Sequence, residues 1–261
     1  MTTEADKPNE VETQGPSEER SGRDAAYWAK HGSTLTVGEV PEGATGRAVE
    51  GRRVLGPIQG FGKMWQKTFR VRLEGADVSP AELVKTWKDN FSKFWPDQNF
   101  FYAPLTGISP GEVALIDLKM PARSRLSTGV LVLYADDESF TLMTPEGHTF
   151  AGWITFSAYE RDGATVAQAQ VLMRPQDPLS EIGMAVGGHK QENRFWENTL
   201  RSVAGHFGVK GQVETEVVCV DRRRQWRKAG NVRHSAALRM GLYTMGAPMR
   251  VLRKPFRGAK A

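Results

Sequence analysis

Between residues 149 and 207 the chain spells out a two-stranded hairpin followed by an amphipathic helix, and this order of elements narrows the possible folds sharply. Residues 149–160 and 164–173 alternate with the period of two that half-buried strands require. Arg161-Asp162-Gly163 joins them as a hairpin connection. Beyond Pro178, the residues Leu179, Ile182, Val186, His189, Asn193, Trp196, Leu200, Val203 and Phe207 recur at intervals of three and four. An unbroken helix would carry all nine on one stripe and end at Gly208. Gly187-Gly188 is where that helix is open to interruption, because glycine in a helix costs about 1 kcal/mol relative to alanine.

A sheet that hands over to a long helix can leave room between the two. Phe150, Gly152, Ile154, Phe156 and Ala158 share one face of the first strand, and Thr165, Ala167, Ala169, Val171 and Met173 share one face of the second. The alanines and glycine among them leave space, which either the helix or a ligand must fill. A packed core and a ligand cavity of roughly a few hundred Å³ are both open readings at this point.

The same periodicities extend upstream. Residues 61–73 read as a strand, and Ser79-Pro80-Ala81-Glu82 supplies a helix cap, a proline at the first helical position and an acid in the first turn. Leu83, Trp87, Phe91 and Phe94 then lie on one helical face that Pro96 terminates. Further strands are expected at 99–102, 112–118, 129–135, 139–144 and 213–220. Residues 1–24 lack apolar periodicity and are rich in Glu, Pro, Ser and Gly, so they are expected to be disordered. Residues 25–60, with short apolar pieces split by Gly and Pro, read as an extended arm on a domain spanning 61–208, and 209–261 form an extra strand and a basic tail.

The resulting fold class is α+β, a curved antiparallel sheet wrapped around a long C-terminal helix. In this order of elements the chain resembles the START-like helix-grip superfamily, also called SRPBCC or polyketide cyclase-like. The residues that carry the resemblance are the 79–95 helix, the strand Thr149-Phe150-Ala151-Gly152-Trp153-Ile154-Thr155-Phe156, the break from Met173-Arg174-Pro175 to Pro178, and Phe195, Trp196 and Leu200. It covers a little over half of the chain and implies an apolar cavity between sheet and final helix. The basic tail departs from the minimal fold.

Charge is unevenly distributed. From Asp221 onward twelve Lys and Arg face a single acid, a net of +11 within an overall +5, so everything upstream holds −6. Residues 1–24 account for −4 of that, which leaves the folded part nearly neutral. Arg222, Arg223, Arg224, Arg227, Lys228, Arg253 and Lys254 are the candidate contacts for an anionic membrane or another polyanion. Val232, Ala236, Met240 and Tyr243, with Leu238, Leu242 and Met245 close by, would give the tail an apolar helical face suited to an interface, although a solvated tail, or one packed on its own domain, is the plainer reading.

The candidate ligand-binding residues are Phe150, Ile154, Phe156, Ala167, Ala169, Val186, His189, Asn193 and Trp196. His189 and Asn193 are the polar members of the helical stripe, where a buried polar group needs a partner. If glycine shifts the phase, both face water instead. His148, in the turn Pro145-Glu146-Gly147-His148, reads as an exposed turn histidine, with orientation of a ligand as the alternative. No histidine spacing nominates a metal, no cofactor fingerprint is present, and no catalytic elbow or phosphate loop occurs, so no metal or cofactor is expected. Cys219 is the single cysteine, the N-terminus reads as acidic rather than as a secretory signal, and no run of apolar residues is long enough to cross a bilayer. A cytoplasmic protein follows, with the tail offering peripheral contact at the inner membrane face. Three functions compete: a binder or carrier of an apolar small molecule or lipid, a cyclase- or aromatase-type enzyme using the same cavity, and nucleic-acid binding through the tail.

Overall fold

A computed structural model of the chain describes residues 25–30, 32, 34–39, 49–120, 125–236 and 238–239. The acidic segment 1–24, the tail residues Arg253 and Lys254, and Met240, Leu242, Tyr243 and Met245 lie outside the described residues.

Asp162 and Gly163 form the tip of the hairpin with φ of 51° and 72°, the left-handed backbone of a two-residue turn matched to strand twist. Arg161 and Ala164 pair directly across it, and the pairing continues to Phe150 and Pro175 without a register shift. These strands are β6 (Phe150–Arg161) and β7 (Ala164–Pro175). The others are β1 (Met64–Arg72), β2 (Phe100–Tyr102), β3 (Val113–Lys119), β4 (Arg125–Ala135), β5 (Ser139–Met143) and β8 (Val213–Asp221). All pair antiparallel in one sheet ordered β2-β3-β4-β5-β6-β7-β1-β8. β4 begins at Arg125, earlier than its alternation suggests, because Lys119 and Leu118 of β3 continue the ladder opposite Arg125 and Leu126.

Helix α1 (Pro80–Asp89) starts where its cap predicts, with the Glu82 N–H donating to Ser79 Oγ at 3.2 Å. It ends earlier than Pro96. Asn90 leaves the helical conformation, its side-chain amide donates to the Thr86 carbonyl at 3.1 Å, and a 3₁₀ turn over Phe91–Phe94 follows. The apolar stripe survives this change, since Leu83, Trp87, Phe91 and Phe94 are all buried.

The helical segment after β7 is also divided. Asp177 caps helix α2 (Pro178–Gly183) by accepting from the Ser180 N–H at 3.0 Å, and helix α3 (His189–His206) completes the segment. Between them Met184–Gly188 forms a π turn in which Val186 and Gly187 leave helical geometry, Gly187 with φ of 117°. The phase therefore slips at Gly187, so Leu179, Ile182 and Val186 face solvent while His189 begins the stripe that faces the sheet. The single nine-residue stripe expected from spacing is thus corrected to an exposed group before Gly187 and a sheet-facing group from His189 onward.

Helix α1 lies over β6 and β7, and α3 over β7, β1 and β8, on one face of the sheet. This is an α+β helix-grip arrangement. β3 is buried on both faces for a separate reason. Ala114 and Ile116 enter the main core, whereas Val113 and Leu115 meet Leu35 and Val49 from the N-terminal segment on the other side.

Cross-strand register sorts the inward side chains into rows. One row holds Trp65, Met173 and Gly152; the next holds Lys67, Val171, Ile154 and Leu142; a third holds Phe69, Ala169, Phe156 and Phe140. In the third row the space beside alanine is taken by aromatic rings. Phe140, Phe91, Trp87 and Trp196 lie 4.7, 5.0, 5.1 and 5.5 Å from Phe156, centroid to centroid. Truncating that hub, Phe156→Ala, is expected to lower unfolding free energy by about 3–5 kcal/mol, whereas Ile182→Ala on the exposed face should change it by less than about 0.5 kcal/mol. Urea titration followed by far-UV circular dichroism separates the two.

Candidate functional site

Alternation along β1 aims Trp65, Lys67, Phe69 and Val71 at the same side, so one ammonium group is carried into an otherwise apolar face. Lys67 is 0% exposed. Burying an unpaired charge would be prohibitive, and the start of α3 supplies its partners: Lys67 Nζ donates to Glu192 Oε2 at 2.6 Å and to Asn193 Oδ1 at 2.7 Å. His189, one turn earlier, packs against the Trp65 ring at 4.6 Å between centroids with planes at 62°. These five side chains form a polar cell at the N-terminal end of α3, over the first two rows of the sheet, with the aromatic third row beside it.

The electrostatics of the cell follow from burial. Desolvation raises the Glu192 carboxyl above its ordinary range, against the opposing pull of the Lys67 ammonium. Burial, with help from Lys67 and Lys63, lowers the His189 imidazole to about 4, so it is neutral at pH 7. Its Nδ1 is buried without a hydrogen-bond partner among the described residues. The cell therefore combines a charged donor, a carboxyl, an amide, and an imidazole nitrogen whose bonding capacity is unused. Among the described residues no group of three His, Cys, Asp or Glu side chains is arranged to hold a metal ion.

Of the residues selected by pattern, the structure brings His189 and Asn193 together on the sheet-facing side of α3, with Trp196 touching Phe156. Ile154, Phe156, Ala167 and Ala169 are buried in the main core, with half-buried Phe150 packed against it. Val186 is 81% exposed and points away from the sheet, because the chain turns at Gly187. His148 is buried rather than an exposed turn residue, and its Nδ1 accepts the Phe150 N–H at 3.0 Å. Sequence reasoning missed Trp65, Lys67 and Glu192. A signal was present: Lys67 stands in the apolar phase of its strand between Trp65 and Phe69, and Glu192 is one turn from His189.

Two open depressions lie away from this cell. One of about 720 Å³, at the β6–β7 hairpin end, includes Arg72, which already pairs with Glu74 at 3.3 Å and Asp162 at 3.2 Å. The other, of about 320 Å³, runs along the side of α3 past Gln191, Arg194 and Phe195. Arg222, Arg223, Arg224 and Arg227 are exposed and Lys228 half-buried, while Arg224 Nε donates to Glu181 Oε1 at 2.9 Å.

No protein-family model and no curated protein matches the chain. Among solved structures it is similar to protein Ms6760 from Mycobacterium smegmatis, with 12% identity over 54% of this chain and 89% of that one and a TM-score of 0.38. A START superfamily protein from Mycobacterium smegmatis gives 16% identity, coverage of 56% and 98%, and a TM-score of 0.37. The di-domain ARO/CYC StfQ from the steffimycin biosynthetic pathway gives 11% identity and a TM-score of 0.41, over 56% of this chain and about half, 53%, of that one. No described helix is long and apolar enough to cross a membrane.

Lys67→Met leaves Glu192 buried without its cation and should destabilise the fold by about 3–5 kcal/mol, while Lys67→Met combined with Glu192→Met should recover most of that loss in urea titrations. His148 has its pKa lowered from 6.5 to about 4 chiefly by burial. The folded state therefore binds fewer protons than the unfolded one between these values, so its contribution is complete above pH 6.5 and is lost as pH falls towards 4. His148→Asn, which keeps an acceptor for the Phe150 N–H, should flatten that acid limb by up to about 3 kcal/mol in thermal melts recorded against pH.

Proposed function

We propose that the protein binds an apolar small molecule bearing a hydrogen-bonding group, between β1 and the first turns of α3. The observation that carries this reading is the unused His189 Nδ1 beside a buried Lys67 ammonium, in an interface otherwise lined by aromatic and aliphatic groups. A purely structural interface is more stable with apolar residues of similar volume at such positions, so a buried ion pair with spare bonding capacity favours a ligand's polar group as the missing partner. The π turn before His189 supplies the means of entry. Its non-helical Val186 and Gly187 let the start of α3 shift without breaking a regular helical ladder, and such turns recur at functional sites. The ligand's apolar body would lie towards Trp196 and Phe156, displacing aromatic side chains that now fill the third row.

Titration with cis-parinaric acid, whose emission rises on burial, tests this directly. Binding is expected for the wild type and should weaken about tenfold in the Lys67→Met, Glu192→Met double variant and in Asn193→Leu. Equal affinity in all three proteins would refute the assignment of the polar cell as the head-group site. Native mass spectrometry of protein purified from its own host identifies the occupant.

A cyclase- or aromatase-type reaction in the same place is a second reading. It is favoured by a neutral imidazole and a carboxyl whose pKa burial raises, held one helical turn apart in the same cell, residue types that serve in general acid–base catalysis. Conversion of a bound substrate that His189→Ala abolishes, with affinity retained, would select the enzyme over the carrier.

A further inference from the structure

The phase slip at Gly187 leaves an apolar helical face without a partner. Helix α2 buries Glu181 against the domain, followed by Met184 in the π turn, and presents Leu179, Ile182 and Val186 to solvent, with exposures of 47%, 61% and 81%. Trp226, 74% exposed, opens the neighbouring 3₁₀ segment Trp226–His234, which packs beside α2. The two segments are fastened to each other and to the chain before β1. Glu181 accepts from Arg224 Nε at 2.9 Å and from the Lys63 N–H at 3.3 Å. The Gln225 N–H donates to the Phe61 carbonyl at 2.7 Å, and the Trp226 ring meets Phe61 edge-on at 5.3 Å.

The chain that neighbours this face is basic. Arg222, Arg223, Arg227 and Arg233 are exposed, and among the described residues none of them forms an ion pair. The nearby acids are already engaged: Glu181 by Arg224, and Asp221 by the buried Arg174 and the Arg223 N–H. Exposed aliphatic side chains and an indole, with guanidinium groups free of close ion pairs on the neighbouring segment, match the two layers of a bilayer surface, an acyl boundary beneath anionic headgroups. A nucleic acid would satisfy the arginines but leave Leu179, Ile182 and Val186 in water.

We propose that α2, the π turn and the Trp226 segment form a docking face for an anionic lipid bilayer. Leu179, Ile182 and Val186 enter the headgroup boundary, Trp226 sits at the interface, and the arginines contact lipid phosphates. The inference does not depend on the ligand reading, although the same π turn leads into His189 and would place the mouth of the polar cell at the membrane.

Flotation of the full chain with vesicles of phosphatidylcholine, with and without phosphatidylserine, tests it. The wild type is expected to float with the mixed vesicles and not with phosphatidylcholine alone. Leu179→Asp with Ile182→Asp should reduce the bound fraction about tenfold, as should Arg222→Glu with Arg227→Glu, while melting temperature and cis-parinaric acid affinity stay at wild-type values. Trp226→Phe should remove most of the vesicle-induced blue shift in tryptophan emission. Absence of flotation overturns the proposal. So does flotation that survives the aspartates and is lost only with the arginines, and so does a salt-sensitive DNA complex without vesicle binding. Loss of cis-parinaric acid binding with flotation intact would instead strike the ligand reading alone.

Discussion

One buried ammonium group fixes how the two layers of this molecule meet. Lys67 projects from the middle of β1 into the space under α3, and the desolvation of its charge must be compensated there or the strand could not occupy that register. Glu192 and Asn193 provide the compensation, so the rotation of α3 about its own axis is set by a polar requirement. The apolar contacts of Trp196, Leu200 and Val203 then follow on the same side. Slipping α3 by one residue would strand both Lys67 and Glu192, a penalty that apolar packing alone would not impose.

The π turn at Met184–Gly188 lets the segment serve two environments. Downstream of it the apolar stripe faces the sheet, and upstream the residues of that spacing face solvent, because Gly187 adopts a backbone conformation that a regular helix excludes. Without that turn, the apolar spacing from Leu179 to Phe207 would describe one long buried stripe. With it, three aliphatic residues become a surface next to the basic segment at 222–233.

Much of the fold was legible in local pattern. Alternation located all eight strands, Asp162-Gly163 located the hairpin tip, and Ser79-Pro80 and Gly208 marked helix ends, because period, turn chemistry and capping are short-range properties. The polar cell was half legible. His189 and Asn193 stood out as polar residues in an apolar stripe, whereas Lys67 did not, because its partners arrive only when β1 sits between β7 and β8 under α3. Val186 was placed on the wrong side because spacing counts residues and cannot register a change of helical phase.

By itself, then, the sequence determined which residues form strands and helices, which faces of them are apolar, and where the net positive charge resides. The tertiary structure alone decided which charges meet, that aromatic rings take the space beside Ala169, and that Leu179, Ile182 and Val186 look outward. The reason is range. Backbone periodicity is set by neighbours a few positions apart, but the pairing of Lys67 with Glu192 joins residues 125 positions distant and exists only once the sheet has closed and the helix has crossed it.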